Sequence, residues 1–256
     1  MMLGRFAEQK IPIKVHLEMA AHMEPDADSG DVMGEIPGRE HPEEVVVLGG
    51  HIDSWDVGRG AQDDGSGIIA SLQAVALIKK LGLQPRRTIR VVFWVNEENG
   101  GRGGEAYRTW VGDAVKNHVA AIEMDGGAEA PQGFGYGAGA FGGGRGRGRG
   151  RGAAAAPNAA EENSMAMLKQ IGSLLNRINA GEISGGGGGS DIAPLTRDGV
   201  PGLGERSIGT HYFDWHHTET DTLDKVNPDD FRKSVAALAV MSYILADMPE
   251  KLAGSR

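Results

Sequence analysis

Five short clusters along the chain carry side chains able to hold a cation or move a proton. They are His51-Ile52-Asp53, Asp63-Asp64, Glu97-Glu98, Glu123-Met124-Asp125 and His216-His217 followed by Asp221. Taken singly, each has an ordinary explanation. A histidine after a strand is usually a hydrogen-bonded loop residue, an Asp-Asp pair before glycine is usually turn chemistry, and a Glu-Glu pair is usually a solvated face. Their recurrence at the ends of apolar runs asks for more. Crowded carboxylates repel and raise one another's pKa unless cations neutralise them, and two divalent ions would do so. The chain has no cysteine, so any such ions would rest on imidazole and carboxylate, a donor set that suits catalytic zinc with a position left for water. A paired site needs one bridging carboxylate and terminal ligands on each ion. The clusters supply a bridge, two histidines and two acids. Neighbours on a strand point to opposite faces, so Glu97 and Glu98 must lie just past a strand end if both serve the site. One can then bind metal while the other accepts a proton from water.

The elements that would place these clusters are legible as apolar runs. Glu43–Gly50 holds four consecutive aliphatic residues, Val45-Val46-Val47-Leu48, between acids and glycines. That pattern predicts a strand buried on both faces. Ile89–Val95 and the shorter Val119–Ile122 repeat it. Between the first two, Ile68, Leu72, Val75 and Ala76 recur at helical spacing over Ser66–Leu81, with Gly82 as the stop. A second helix is predicted over 161–178 from Leu168, Ile171, Leu175 and Ile178. A third follows Asn227 as cap, with Pro228 in its first turn, Asp229 and Asp230 at its positive end, and Phe231, Val235, Leu238 and Leu245 facing the core to about Met248. Residues 12–23 alternate and read as a further strand. The sum predicts an α/β fold: three layers, α/β/α, with a mostly parallel central sheet and helices on both faces. In such sheets the site lies beyond the carboxyl ends of the strands, where the first four clusters fall, Asp63-Asp64 after a glycine-containing loop; the last, His216–Thr222, precedes the last helix and can close over that rim.

Composition narrows the function classes. The 256 residues suffice for one large domain or two small ones. No apolar run approaches the roughly 18–20 residues of a membrane span, and Met1–Arg5 shows no apolar signal-peptide core. A net charge of −9 argues against general nucleic-acid affinity. Residues 126–157, rich in Gly, Ala and Arg, read as a surface insertion without a core of their own. Within it, Arg145–Arg151 alternates Arg and Gly, a weak single-stranded RNA signal without aromatic partners in an acidic chain. The glycines at 185–189 predict a close backbone approach, for instance to a substrate. Asp191 beside them is either a substrate contact or a turn residue. His118 and His211 fit no cluster and read as surface histidines.

The stretches GGHIDSWDVGRGAQDDGSG and YFDWHHTETDT, with Glu97-Glu98-x-Gly and Glu123-x-Asp125, resemble the co-catalytic two-zinc aminopeptidase and carboxypeptidase family over about residues 12–125 and 190–250. The resemblance implies a zinc-dependent exopeptidase acting on dipeptides or short peptides. It implies Asp63 as the bridge between two zincs per chain, His51 and Asp125 on one and Glu98 and His217 on the other, and leaves open which pairs share a metal. It selects His217 over His216 because the ligand stands four residues before the Asp of Asp221-Thr222. Glu97 becomes the general base, Asp53 the partner that orients His51, and the Asp63–Asp64 peptide bond is expected to be cis. A secreted or periplasmic parent protein and a homodimer are further implications. Relatives begin earlier, so the expectation is a single catalytic domain over 1–256 that is N-terminally incomplete. The alternative in another class is a non-catalytic zinc-binding module on the same fold.

Overall fold

The computed structural model of the chain describes residues 2–22, 24–137 and 159–253. In chain order the elements are α1 (Met2–Glu8), β1 (Val32–Ile36), β2 (His41–His51), α2 (Ser66–Lys80), β3 (Arg87–Trp94), α3 (Arg102–Val111), β4 (His118–Glu123), β5 (Pro131–Tyr136), α4 (Ala159–Ser173), β6 (Glu182–Gly185), α5 (Ala193–Arg197), β7 (Gly202–Ser207), α6 (Tyr212–Trp215) and α7 (Pro228–Asp247). The strands form one sheet in the order β1-β3-β2-β4-β7-β5-β6. β3, β2, β4 and β7 run parallel, β1 and β5 pair antiparallel with β3 and β7, and β6 lies parallel to β5.

Alternation along β2 explains the layers. Val46 and Leu48 face a core with Ile78 of α2, Leu168 of α4 and Leu238 and Leu245 of α7. Val45 and Val47 face the opposite core with Tyr107 of α3 and Leu195 of α5. The whole Val45–Leu48 run is therefore buried, as its unbroken aliphatic pattern predicts. The helix punctuation also holds. Gly82 takes a left-handed backbone after α2, and the Asn227 side chain accepts from the Asp229 and Asp230 amides at the start of α7. The three-layer, mostly parallel α/β/α sandwich is the fold the sequence predicts.

Three expectations are corrected. Residues 12–22 form no strand, and Val15, Leu17 and Met19 are exposed; alternation specifies a face, but a strand exists only where its main chain finds a partner. The glycine-rich stretch from 126 is no mere insertion at its start. β5 lies inside it and buries Phe134 and Tyr136. Its glycines are packing features: a Cβ on Gly133 would lie 1.9 Å from the Glu182 carbonyl of β6. The rest of the stretch, 138–157, lies outside the described residues. His118 is not a surface residue. It is buried at the start of β4, 2.9 Å from the Tyr107 hydroxyl, and burial pulls its pKa down to about 4. His211 is exposed and pairs with Asp214.

Candidate metal centre

β2, β3 and β4 end together, with His51 opposite Trp94 and Gly49 opposite Glu123. Their continuations deliver His51, Glu97 and Glu98, and Asp125 to one rim. The turn Ala61–Gly65 adds Asp63 and Asp64, joined by a cis peptide bond. The Asp221 carboxylate holds that turn by accepting from the Gln62 and Asp63 amides at 2.7 and 3.1 Å. Asp64 faces inward and accepts from the His51 and Gly67 amides at 3.1 and 3.0 Å. A Cβ on Gly50 or Gly67 would lie 1.8 or 2.2 Å from its carboxylate oxygens. Both glycines are therefore required by the acid they enclose.

Asp63 is the hub. His51 Nε2 lies 3.2 Å from its Oδ1 and 3.5 Å from Asp125 Oδ1. His216 and His217 Nε2 lie 3.3 and 3.4 Å from its Oδ2. His217 Nε2 is also 2.8 Å from Glu98 Oε2. The two oxygens of one carboxylate thus face different imidazoles, His51 at Oδ1 and His216 and His217 at Oδ2, and His51 and His217 each reach a further acid. His51 Nδ1 is 2.8 Å from the Asp53 main-chain oxygen. A carbonyl only accepts, so Nδ1 carries a proton and Nε2 is the atom presented to the cluster. The Asp53 carboxylate, 3.8 Å from that Nδ1, instead accepts from the Glu97 and Glu98 amides at 3.1 and 3.3 Å. Asp53 therefore aligns two clusters at once. Glu97 stands at the rim, where its Oε1 accepts from the Ser190 hydroxyl.

The electrostatics are those of too many acids for their surroundings. Burial, then the Asp63 charge, pushes Glu98 up to about 7, and burial pushes Asp125 up to about 6. Burial opposes charge on His51, but the Asp125 and Asp63 carboxylates beside its Nε2 prevail and hold it well above the imidazole range. His216 is lowered by burial. Asp63 Oδ2, Glu98 Oε1 and Asp125 Oδ1 are buried yet accept no hydrogen bond among the described residues. Orphaned acceptors of this kind call for an unseen partner, and imidazole–carboxylate groups around Asp63 have metal-ligand spacing. The residues fit divalent-cation binding. A further His41, Glu43 and Glu44 group sits at the exposed start of β2, where Glu44 already pairs with Arg87 and Lys251.

Asp191 is 1% exposed with both oxygens unpaired among the described residues, and burial lifts it to about 8. It lies beneath the rim rather than open to it. The fully buried Glu123 accepts from the Ile192 amide at 2.9 Å. A Cβ on Gly189 would lie 1.8 Å from its Oε1. The close approach foreseen at 185–189 is thus made to this carboxylate. Sequence reasoning gave no role to Glu123, Trp55, Tyr212 or Ser190. Trp55 and Tyr212 lay within the quoted motifs. Burial and the Asp125, Asp63 and Asp64 charges raise the Tyr212 hydroxyl above its ordinary range.

Residues 31–242 match the sequence profile of Peptidase family M28. The chain is 36% identical to Carboxypeptidase Q of Mus musculus over 98% of its own length and 49% of that protein's. Among solved structures, a Peptidase M28 precursor from Shewanella amazonensis SB2B superposes with a TM-score of 0.71 at 31% identity, over 87% of this chain and 46% of that one. BSAP, a zinc aminopeptidase from Bacillus subtilis, shares the fold with a TM-score of 0.63 at 16% identity, over 87% of this chain and 52% of that one. The chain spans about half the length of the relatives it matches.

Proposed function

The chain belongs to peptidase family M28, and from that premise we propose that residues 1–256 form a single catalytic domain of a zinc-dependent exopeptidase acting on dipeptides or short peptides. The observation that carries the reading is how two imidazoles meet Asp63: His51 Nε2 lies beside its Oδ1 and beside Asp125, and His217 Nε2 beside its Oδ2 and beside Glu98. On this reading Asp63, shared between the two, would hold the zinc pair together with His51 and Asp125 on one side and Glu98 and His217 on the other. When bound, the pair supplies Lewis acidity to a water and to the scissile carbonyl. Glu97, left free beside Glu98, takes the proton from water and passes it to the leaving amine. Asp53 keeps Glu97 and Glu98 in register through their amides.

The test is elemental analysis beside a dipeptide hydrolysis assay, with and without chelator, on the unsubstituted chain and on Glu97→Ala. Two zincs in both chains, chelator-sensitive hydrolysis in the first and a loss of about 10²–10⁴-fold in the second are expected. Full activity in Glu97→Ala would remove it as the base. Two zincs without any hydrolysis would favour the binding module, and no metal would refute the centre.

A further inference from the structure

We propose that Trp55 is the positioning residue for His217, clamping its imidazole from the face so that Nε2 meets Asp63 and Glu98. The proposal rests on the zinc centre above. The two histidines of that centre are held in different ways. His51 is fixed through a hydrogen bond from Nδ1 to the Asp53 main chain, the usual arrangement for a ligating imidazole. His217 makes no side-chain hydrogen bond through Nδ1 among the described residues, and its backbone sits at a φ of 60°, in the left-handed region. No hydrogen bond at Nδ1 fixes the plane of the ring among the described residues.

Aromatic faces supply what is missing. The Trp55 indole lies 4.2 Å from the His217 ring centroid and within 5° of parallel. On the other side His216 stacks at 3.6 Å and 17°. The imidazole is sandwiched, and only rotation within the ring plane remains, which the Glu98 and Asp63 oxygens settle. The loop that carries Trp55 is itself supported. The Gly58 amide donates to the Trp55 carbonyl at 2.9 Å, and a Cβ on Gly58 would lie 3.2 Å from the Thr218 carbonyl, next to His217. An imidazole bound to a cation carries positive charge, and an indole face attracts positive charge. The stack therefore strengthens on loading, which couples Trp55 to metal affinity rather than to packing alone.

Zinc titration against a chromophoric chelator tests this on the full chain and on Trp55→Phe, Trp55→Leu and Trp55→Ala, with circular dichroism as the check on folding. Trp55→Leu, which keeps apolar bulk without a π face, is expected to lose about tenfold in affinity for one of the two equivalents. Trp55→Phe is expected to stay within about threefold, and the visible absorption of cobalt(II)-loaded Trp55→Leu to differ from that of the unsubstituted chain. Should Trp55→Ala lose its fold, the Phe and Leu pair carries the comparison. Two equivalents bound by Trp55→Leu as tightly as by the unsubstituted chain would overturn the proposal, and so would equal losses in Phe and Leu. Failure of the unsubstituted chain to bind zinc would instead overturn the centre, and this role with it.

Discussion

Asp63 serves two sides because its two oxygens are separately addressed, and the difference between His216 and His217 follows from the same geometry. Both imidazoles stand beside Oδ2, yet only His217 also reaches Glu98, at 2.8 Å. His217 has two acids within reach and His216 one, so His217→Ala is expected to lose one zinc equivalent and His216→Ala to keep both. Elemental analysis of the two variants decides it, and the reverse result would exchange the roles. The cluster was legible in the sequence where His51, Glu97, Glu98 and Asp125 follow strand ends, at which a run of aliphatic residues gives way abruptly to acids and imidazoles; the part given to Asp63 and His217 came from the family resemblance. Trp55 was not, since its partner is far along the chain and an exposed-looking aromatic in a loop carries no period. Asp53 was half legible. Its motif announced a partner for His51, but the contact comes from its main chain, and its carboxylate serves Glu97 and Glu98 instead.

At the scale of elements, legibility followed hydrophobic density. β2, β3 and β4 announced themselves by β-branched runs, and α7 by a cap, a first-turn proline and an acidic start. β5, β6 and β7 did not, because glycines take the places where apolar side chains would have signalled a strand. Close backbone approach needs those glycines, and composition reads them as looseness. The same logic makes the 185–189 run testable. Gly189 faces the buried Glu123 carboxylate, which is tied to the Ile192 amide and has nowhere to retreat. Gly189→Ala should therefore destabilise the chain by about 1–3 kcal/mol. It should also lower turnover, because Ser190, the next residue, contacts Glu97. Gly185 has open space around its Cβ position, so Gly185→Ala should stay within about 0.5 kcal/mol. Denaturant melts of the two variants compare them directly, and equal stabilities would contradict the close approach.

Across the whole molecule, buried acids set how stability depends on pH, and two separate sources can be told apart. Asp125, Glu98 and Asp191 belong to the centre, with values of about 6, 7 and 8. Glu205 of β7 does not. It is fully buried against Ser234 of α7, 3.2 Å away, and burial alone lifts it to about 8. An acid whose folded pKa is raised binds more protons folded than unfolded between its ordinary value near 4 and the raised one. Stability therefore falls as pH rises through that window. In metal-free protein both sources contribute, but His118, lowered to about 4, opposes them below its ordinary value of 6.5, so the decline should be clearest from about pH 6.5 to about pH 8. Zinc at a hundredfold excess over its dissociation constant adds about 2.7 kcal/mol per site. It also neutralises the Asp125 and Glu98 charges, so their share of the slope should vanish. The Glu205 share should survive zinc and disappear in Glu205→Gln. Thermal melts between pH 5 and 8.5, with zinc or with chelator, separate the two. A slope unchanged by zinc in both chains would mean that no cation sits among these carboxylates, and a slope unchanged by Glu205→Gln would mean that β7 and α7 relax to solvate the acid.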